Sequence, residues 1–136
     1  MYTLIDHTAD LGIEVTGTSE EELFADAAIA MIDLIVDSDH TQNTLTRSLI
    51  VVGMDQVDLL INFLREILYS FNGENFLLKN LAIAELTSTT IKATLFGEYY
   101  DPGQHSIKTE LKAVTYHQAA IWKTDGVWKA RVIFDV

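Results

Sequence analysis

The chemistry this sequence offers is concentrated in a few carboxylates and two histidines. Asp135 is next to last and Val136 carries the free α-carboxylate, so two anionic groups share one strand end. A hard cation such as Ca²⁺ or Mg²⁺ takes several oxygens, and one further carboxylate would complete a site. A frayed, solvated terminus is the bland alternative. Against it, Trp128, Ala130, Val132 and Phe134 alternate up to the last residues, the pattern of a strand tied into a sheet. A second cluster is His7-Thr8-Ala9-Asp10. There His7 could carry a proton or bind a metal, and Asp10 could hold a hard cation. Read as a plain turn, Thr8 and Asp10 would bond local backbone instead. A third feature is Lys112-Ala113-Val114-Thr115-Tyr116-His117, whose alternation makes it a strand first. On a half-buried strand, His117 is more often structural than catalytic.

Other chemistry is absent. The 136 residues contain no cysteine, which excludes a disulfide framework, a thiolate metal site and a Cys nucleophile. There is no phosphate-cradling glycine loop, no G-x-S-x-G elbow and no H-E-x-x-H. His7, His40, His105 and His117 have no partner at i, i+4 on a helix. The expectation is a protein that is not an enzyme and has no catalytic residues of its own. A metal-dependent hydrolase built on Asp10, Asp135 and His117 is the competing possibility.

The formal net charge is −11, unevenly spread. Residues 1–46 hold ten acids and no Lys or Arg. Phosphate backbones are gripped by Lys and Arg displacing counterions, so little direct nucleic-acid binding is expected. An acidic surface suits metal ions or a basic protein partner, or simply keeps a small domain soluble. No apolar run is long enough to span a bilayer, and Asp6 and Asp10 interrupt the start where a signal peptide would be apolar. A cytoplasmic protein without membrane association is expected.

These residues need elements to position them. Tyr2–Ile5 and Leu11–Thr16 read as strands. Ser19 with Glu22 is a capping-box signature opening a helix over Glu20–Val36. The polar stretch 37–43 is a loop, and Thr44–Val52 is a strand. Asp55 is an N-cap for a second helix with a broad apolar stripe, ended by Asn72-Gly73. Leu81–Thr87 and Ile91–Phe96 are neighbouring antiparallel strands, and Leu111–Trp122 is a long one. Asp125-Gly126 turns the chain into Val127–Asp135. The order β-β-α-β-α-β-β-β-β predicts a single α+β domain, residues 1–136, with two amphipathic helices packed on mainly antiparallel sheet. The cations Lys112, Lys123, Lys129 and Arg131 are expected to complement the acidic first half.

Together the clusters resemble the archease family. The marks are Asp6-His7-Thr8-Ala9-Asp10, Glu21-Glu22-Leu23-Phe24, Lys112 to His117, and Ile133-Phe134-Asp135-Val136, in order along essentially the whole chain. The resemblance implies an accessory protein for a GTP-dependent RNA ligase that joins 3′-phosphate or 2′,3′-cyclic-phosphate ends to 5′-hydroxyl ends in tRNA splicing or RNA repair. It would promote ligase guanylylation and multiple turnover. A chaperone-like role toward a tRNA methyltransferase is also implied. So is a divalent metal, calcium in the first place and otherwise magnesium or manganese, held by Asp10, Asp135 and Val136. His7 and His117 are the further functional candidates.

Overall fold

The computed structural model describes residues 1–7, 10–37 and 41–136, without the side chains of Asp6 and His7. Thr8, Ala9 and His40 lie outside the described residues. Seven strands and two helices follow in the order β1 (Tyr2–His7), β2 (Asp10–Gly17), α1 (Glu20–Ile35), β3 (Leu45–Val52), α2 (Gln56–Glu74), β4 (Phe76–Leu86), β5 (Thr90–Tyr99), β6 (Ala113–Thr124) and β7 (Val127–Asp135). This is the expected order in an α+β domain. The strands form two antiparallel sheets, β1-β2-β7-β6 and β3-β5-β4.

Both helices touch both sheets. α1 meets β2 and β7 on one side and β4 on the other, and α2 meets β6, β3 and β4. A helix flanked by sheets must be apolar nearly all round. In α1, Leu23, Phe24, Ala27, Ala28, Met31, Leu34 and Ile35 are buried with Ala30 and Ile32. Its start follows the expected cap, with Ser19 Oγ accepting from the Glu22 N–H at 3.1 Å. The reciprocal half of the box is not made. Glu22 instead accepts from the Thr18 hydroxyl at 2.6 Å.

α2 is fastened differently. Asp55 caps it by accepting from the Asp58 N–H at 2.8 Å. Three of its polar side chains reach backbone carbonyls, two in the outer strands β3 and β6 and one just before β6. Asn62 Nδ2 donates to Val52 at 3.0 Å, Arg65 Nε to Val114 at 3.1 Å and Asn72 Nδ2 to Leu111 at 3.0 Å. The helix runs past Asn72-Gly73 and ends at Asn75, which adopts the left-handed conformation at φ 59°. Asn tolerates that region better than most residues.

Asp125 and Gly126 both have positive φ, the arrangement that fits a two-residue turn to the twist of its strands. The turn joins β6 and β7 in the register Thr124↔Val127. Upstream, the segment after β5 is pinned by His105, which is 3% exposed. Its Nδ1 accepts from the Asp101 N–H at 2.9 Å, and its ring stacks on Tyr100.

Candidate functional site

The register of the four-stranded sheet builds the site. His7 opposes Asp10 across β1 and β2. Asp10 opposes Asp135 across β2 and β7. Asp135 opposes Ala113 across β7 and β6. One row crossing the whole sheet therefore reads His7, Asp10, Asp135, Ala113. Opposed residues share a face, so Asp10 and Asp135 stand side by side on the face turned away from the helices. The intervening residues explain that orientation. Ile13, Val15, Val132 and Phe134 fill the core on the inner face, which leaves Asp10, Gly12 and Glu14 of β2 on the outer face.

The next row reads Ile5, Gly12, Ile133, Thr115. Ile133 is fully buried there although it lies on the outer face. It folds over Gly12, where a Cβ would meet Ile133 Cδ1 at 2.6 Å. Thr115 Oγ1 donates to the Ile133 carbonyl at 2.9 Å. The carboxylate row thus has a packed floor beside it. Its far end is tied by the Lys112 N–H, which donates to the Asp135 carbonyl at 2.8 Å.

The arrangement brings together two of the predicted residues by their strands, with Val136 one residue beyond. Asp10 is half-buried, and Asp135 and Val136 are exposed. His7 occupies the row by its backbone, and its side chain lies outside the described residues. His117 does not join the row. Between Thr115 and Ala120 the β6 register shifts, and His117 sits within that irregularity, its N–H donating to Thr115 Oγ1 at 3.2 Å. Gln118 within the same bulge has φ 53°. Among the described residues, no group of three or more His, Cys, Asp or Glu side chains is placed to hold a metal.

Two like charges directly opposed on a sheet destabilise it unless something compensates. A bound cation would compensate, and the donors available are all hard oxygens. The oxygen donors of this pair are of the kind a hard divalent ion takes.

Two of the four cations expected to complement the acidic first half lie on aromatic rings. Lys123 lies over the Trp128 ring at 5.3 Å and Arg131 over Trp122 at 5.7 Å. Arg131 faces Glu14 in the register, but its Nε donates to the Gln118 carbonyl at 2.8 Å. Long cations on a sheet gain by lying on aromatic faces, and exposed ion pairs add little.

Sequence reasoning missed a second cluster, where α2 meets the β6 bulge. The Tyr116 hydroxyl donates to Asp58, and the Arg65 guanidinium lies over the Tyr116 ring at 4.6 Å. The one signal was that Arg65 is the only cation between Gln56 and Glu74. The Tyr116 hydroxyl first, and the Met54 N–H second, hold the Asp58 carboxyl below its ordinary range. The same bond pushes the Tyr116 phenol up. A depressed carboxyl contributes stability above its unfolded pKa, about 4, and loses it as pH falls through the lower folded value. Denaturant titrations of the unmodified chain and Asp58→Asn should therefore show a gap near neutrality that closes in acid. A gap unchanged from pH 6 to pH 2 would show that the contact carries no linkage.

The profile of the Archease protein family matches residues 2–136. The chain belongs to the Archease protein family. Similar proteins include an archease of Methanosarcina mazei, 35% identical with 99% of this chain and 95% of the relative covered. An archease of Pyrococcus abyssi is 38% identical, with 96% and 95% covered. The solution structure of Methanobacterium thermoautotrophicum protein 1598 superposes with a TM-score of 0.83 at 31% identity, covering 99% of this chain and 98% of that one. The crystal structure of a Thermotoga maritima archease, called a possible chaperone, shares the fold with a TM-score of 0.71 at 22% identity, covering 100% and 98%. Membership in the archease family agrees with the resemblance drawn from the four short motifs. No described helix is long and apolar enough to cross a membrane.

Proposed function

We propose that this archease-family chain is a non-catalytic activator of a GTP-dependent 3′-phosphate/5′-hydroxyl RNA ligase. It promotes guanylylation of the ligase and so its multiple turnover in tRNA splicing or RNA repair. The observation that carries this reading is the direct opposition of Asp10 and Asp135 in a chain of this family. A pair of opposed carboxylates is suited to hold or present a cation. Asp10, Asp135 and the Val136 carboxylate would hold calcium, or magnesium or manganese in its place. Bound there, the ion supplies positive charge at the edge of a strongly acidic molecule.

The test is a guanylylation assay with radiolabelled GTP and the cognate ligase. Adding this protein is expected to raise the yield of ligase-guanylate and the number of ligations per enzyme. The protein alone should neither join RNA nor become labelled. An unchanged rate at every ratio of protein to ligase would defeat the proposal.

A second reading is a chaperone-like modulator of a tRNA methyltransferase or other clients. The Thermotoga relative's description as a possible chaperone favours it. Such a protein should keep unrelated clients in solution whether or not Asp10 and Asp135 are intact. An activator should work on one partner and fail without them.

A further inference from the structure

The outward side of α2 carries a groove that the carboxylate row does not explain. The groove encloses about 360 Å³ between α2 and the start of β6. Leu68, Tyr69 and Asn72 form its helical wall, and Lys112, Ala113 and Val114 form the other. Arg65 closes one end and also lines a second groove of about 320 Å³, against Ile50 and Val52 of β3. Around these grooves stand large apolar side chains left in solvent. Tyr69 is 63% exposed, Met54 89%, and Ile50 and Val52 about two-thirds.

The charge of the first groove sets it apart. The chain has 20 acids and nine Lys or Arg. Yet the charged residues lining this groove are Arg65 and Lys112, with no acid among the lining residues. Arg65 is held in place rather than swinging free. Its Nε is bonded to the Val114 carbonyl and its plane lies over the Tyr116 ring. A positioned Arg beside exposed Tyr is the combination that dominates protein interfaces energetically. Fixing the guanidinium beforehand lowers the entropy lost on docking.

Ala113 lines the groove and is the cross-strand partner of Asp135, which stands on the face turned away from α2.

We infer that this groove is the docking surface for the partner protein, and that its occupant is a segment carrying a carboxylate beside an aliphatic or aromatic side chain. The carboxylate faces Arg65 and Lys112, and the apolar side chain covers the exposed Tyr69 ring. The inference rests on the proposed ligase-activating role for the partner's identity, and on the groove's charge and shape for its location.

The experiment measures binding of the cognate ligase to the unmodified chain, Tyr69→Glu, Tyr69→Lys and Arg65→Glu by calorimetry. Thermal melts accompany each variant. Tyr69 is the cleaner probe, because Arg65 also fastens β6. Tyr69→Glu is expected to weaken binding by about tenfold or more, from lost aromatic contact and added repulsion. Tyr69→Lys should lose clearly less, since it retains attraction for an acidic segment. Lys92→Glu, on β5 of the other sheet, should bind as the unmodified chain does. If the unmodified chain binds the ligase and Tyr69→Glu and Arg65→Glu bind equally well, the docking surface is overturned while the activating role stands. If the two Tyr69 variants lose equally, the acidic character of the occupant is overturned. If the unmodified chain does not bind the ligase, the activating role fails and takes this inference with it. If the free chain binds tRNA and Tyr69→Glu abolishes that, the groove is an RNA site and the inference is wrong.

Discussion

Removing calcium should invert the stability ranking of Asp10→Asn against the unmodified chain. Without a cation, Asp10 and Asp135 face each other as like charges. Neutralising one relieves a repulsion of up to about 1 kcal/mol, so Asp10→Asn melts at or above the unmodified chain in chelator. With calcium at about a hundred times its dissociation constant, the unmodified chain gains about 2.7 kcal/mol by mass action. Asp10→Asn gains little, because loss of an anionic oxygen should weaken binding on the order of a hundredfold. Asp135→Asn is expected to behave alike, and the double variant should add little once the ion is gone. Extending the chain past Val136 converts its carboxylate into an amide and should weaken calcium without unfolding the domain. Buried Val132 and Phe134 still anchor β7. Paired melts and calcium titrations decide the matter. Equal calcium stabilisation of all variants would remove these groups as ligands.

Gly97→Ala is expected to cost the domain the most of any single methyl added to it. A Cβ at Gly97 would lie 2.0 Å from the Leu77 carbonyl oxygen and 2.9 Å from its carbon. Both are backbone atoms, on a strand whose register shifts between Leu78 and Asn80. Neither can rotate away, so the strands must separate where β4 enters the core. The loss should reach or exceed the roughly 1–3 kcal/mol typical of overpacking. Gly12→Ala should cost less, because the first atom met is the tip of Ile133. Gly103→Ala should be near neutral, with only the Asp101 side chain within 4 Å. Urea unfolding of the three variants tests the order. A Gly97→Ala midpoint equal to that of Gly103→Ala would refute it.

The same features show what could be read from the residues. β7 was legible in full because Trp128 to Phe134 alternate, and the Asp125-Gly126 turn carries its own backbone demand. β4 begins five residues before the start its sequence pattern predicts. Phe76-Leu77-Leu78 are all buried, and a continuous apolar run carries no period. α2 was ended too early because Asn72-Gly73 looks like a cap, while Asn75 performs that role. For the candidate site, Asp10 and Asp135 were visible as residue types, but their opposition is a matter of register. Register between β2 and β7 is set by packing of Ile13 and Val15 beside Val132 and Phe134, more than a hundred positions apart in the chain. The bulge that removes His117 from the row had no local signature, since Tyr116 to Ala119 contain no glycine or proline.

The bonds from Asn62 and Arg65 to the carbonyls of β3 and β6 also bear on how this molecule behaves in company. The outermost strand of any sheet is a template on which another chain can add a strand. Two sheets give four such margins, β1, β6, β3 and β4. α2 occupies one carbonyl at each of two of them, Val52 of β3 and Val114 of β6. A chain adding to either of these margins at Val52 or Val114 has to displace a bond first. Replacing Asn62 and Arg65 by alanine would free both carbonyls. Strand addition at high protein concentration should then become easier along β3 and β6.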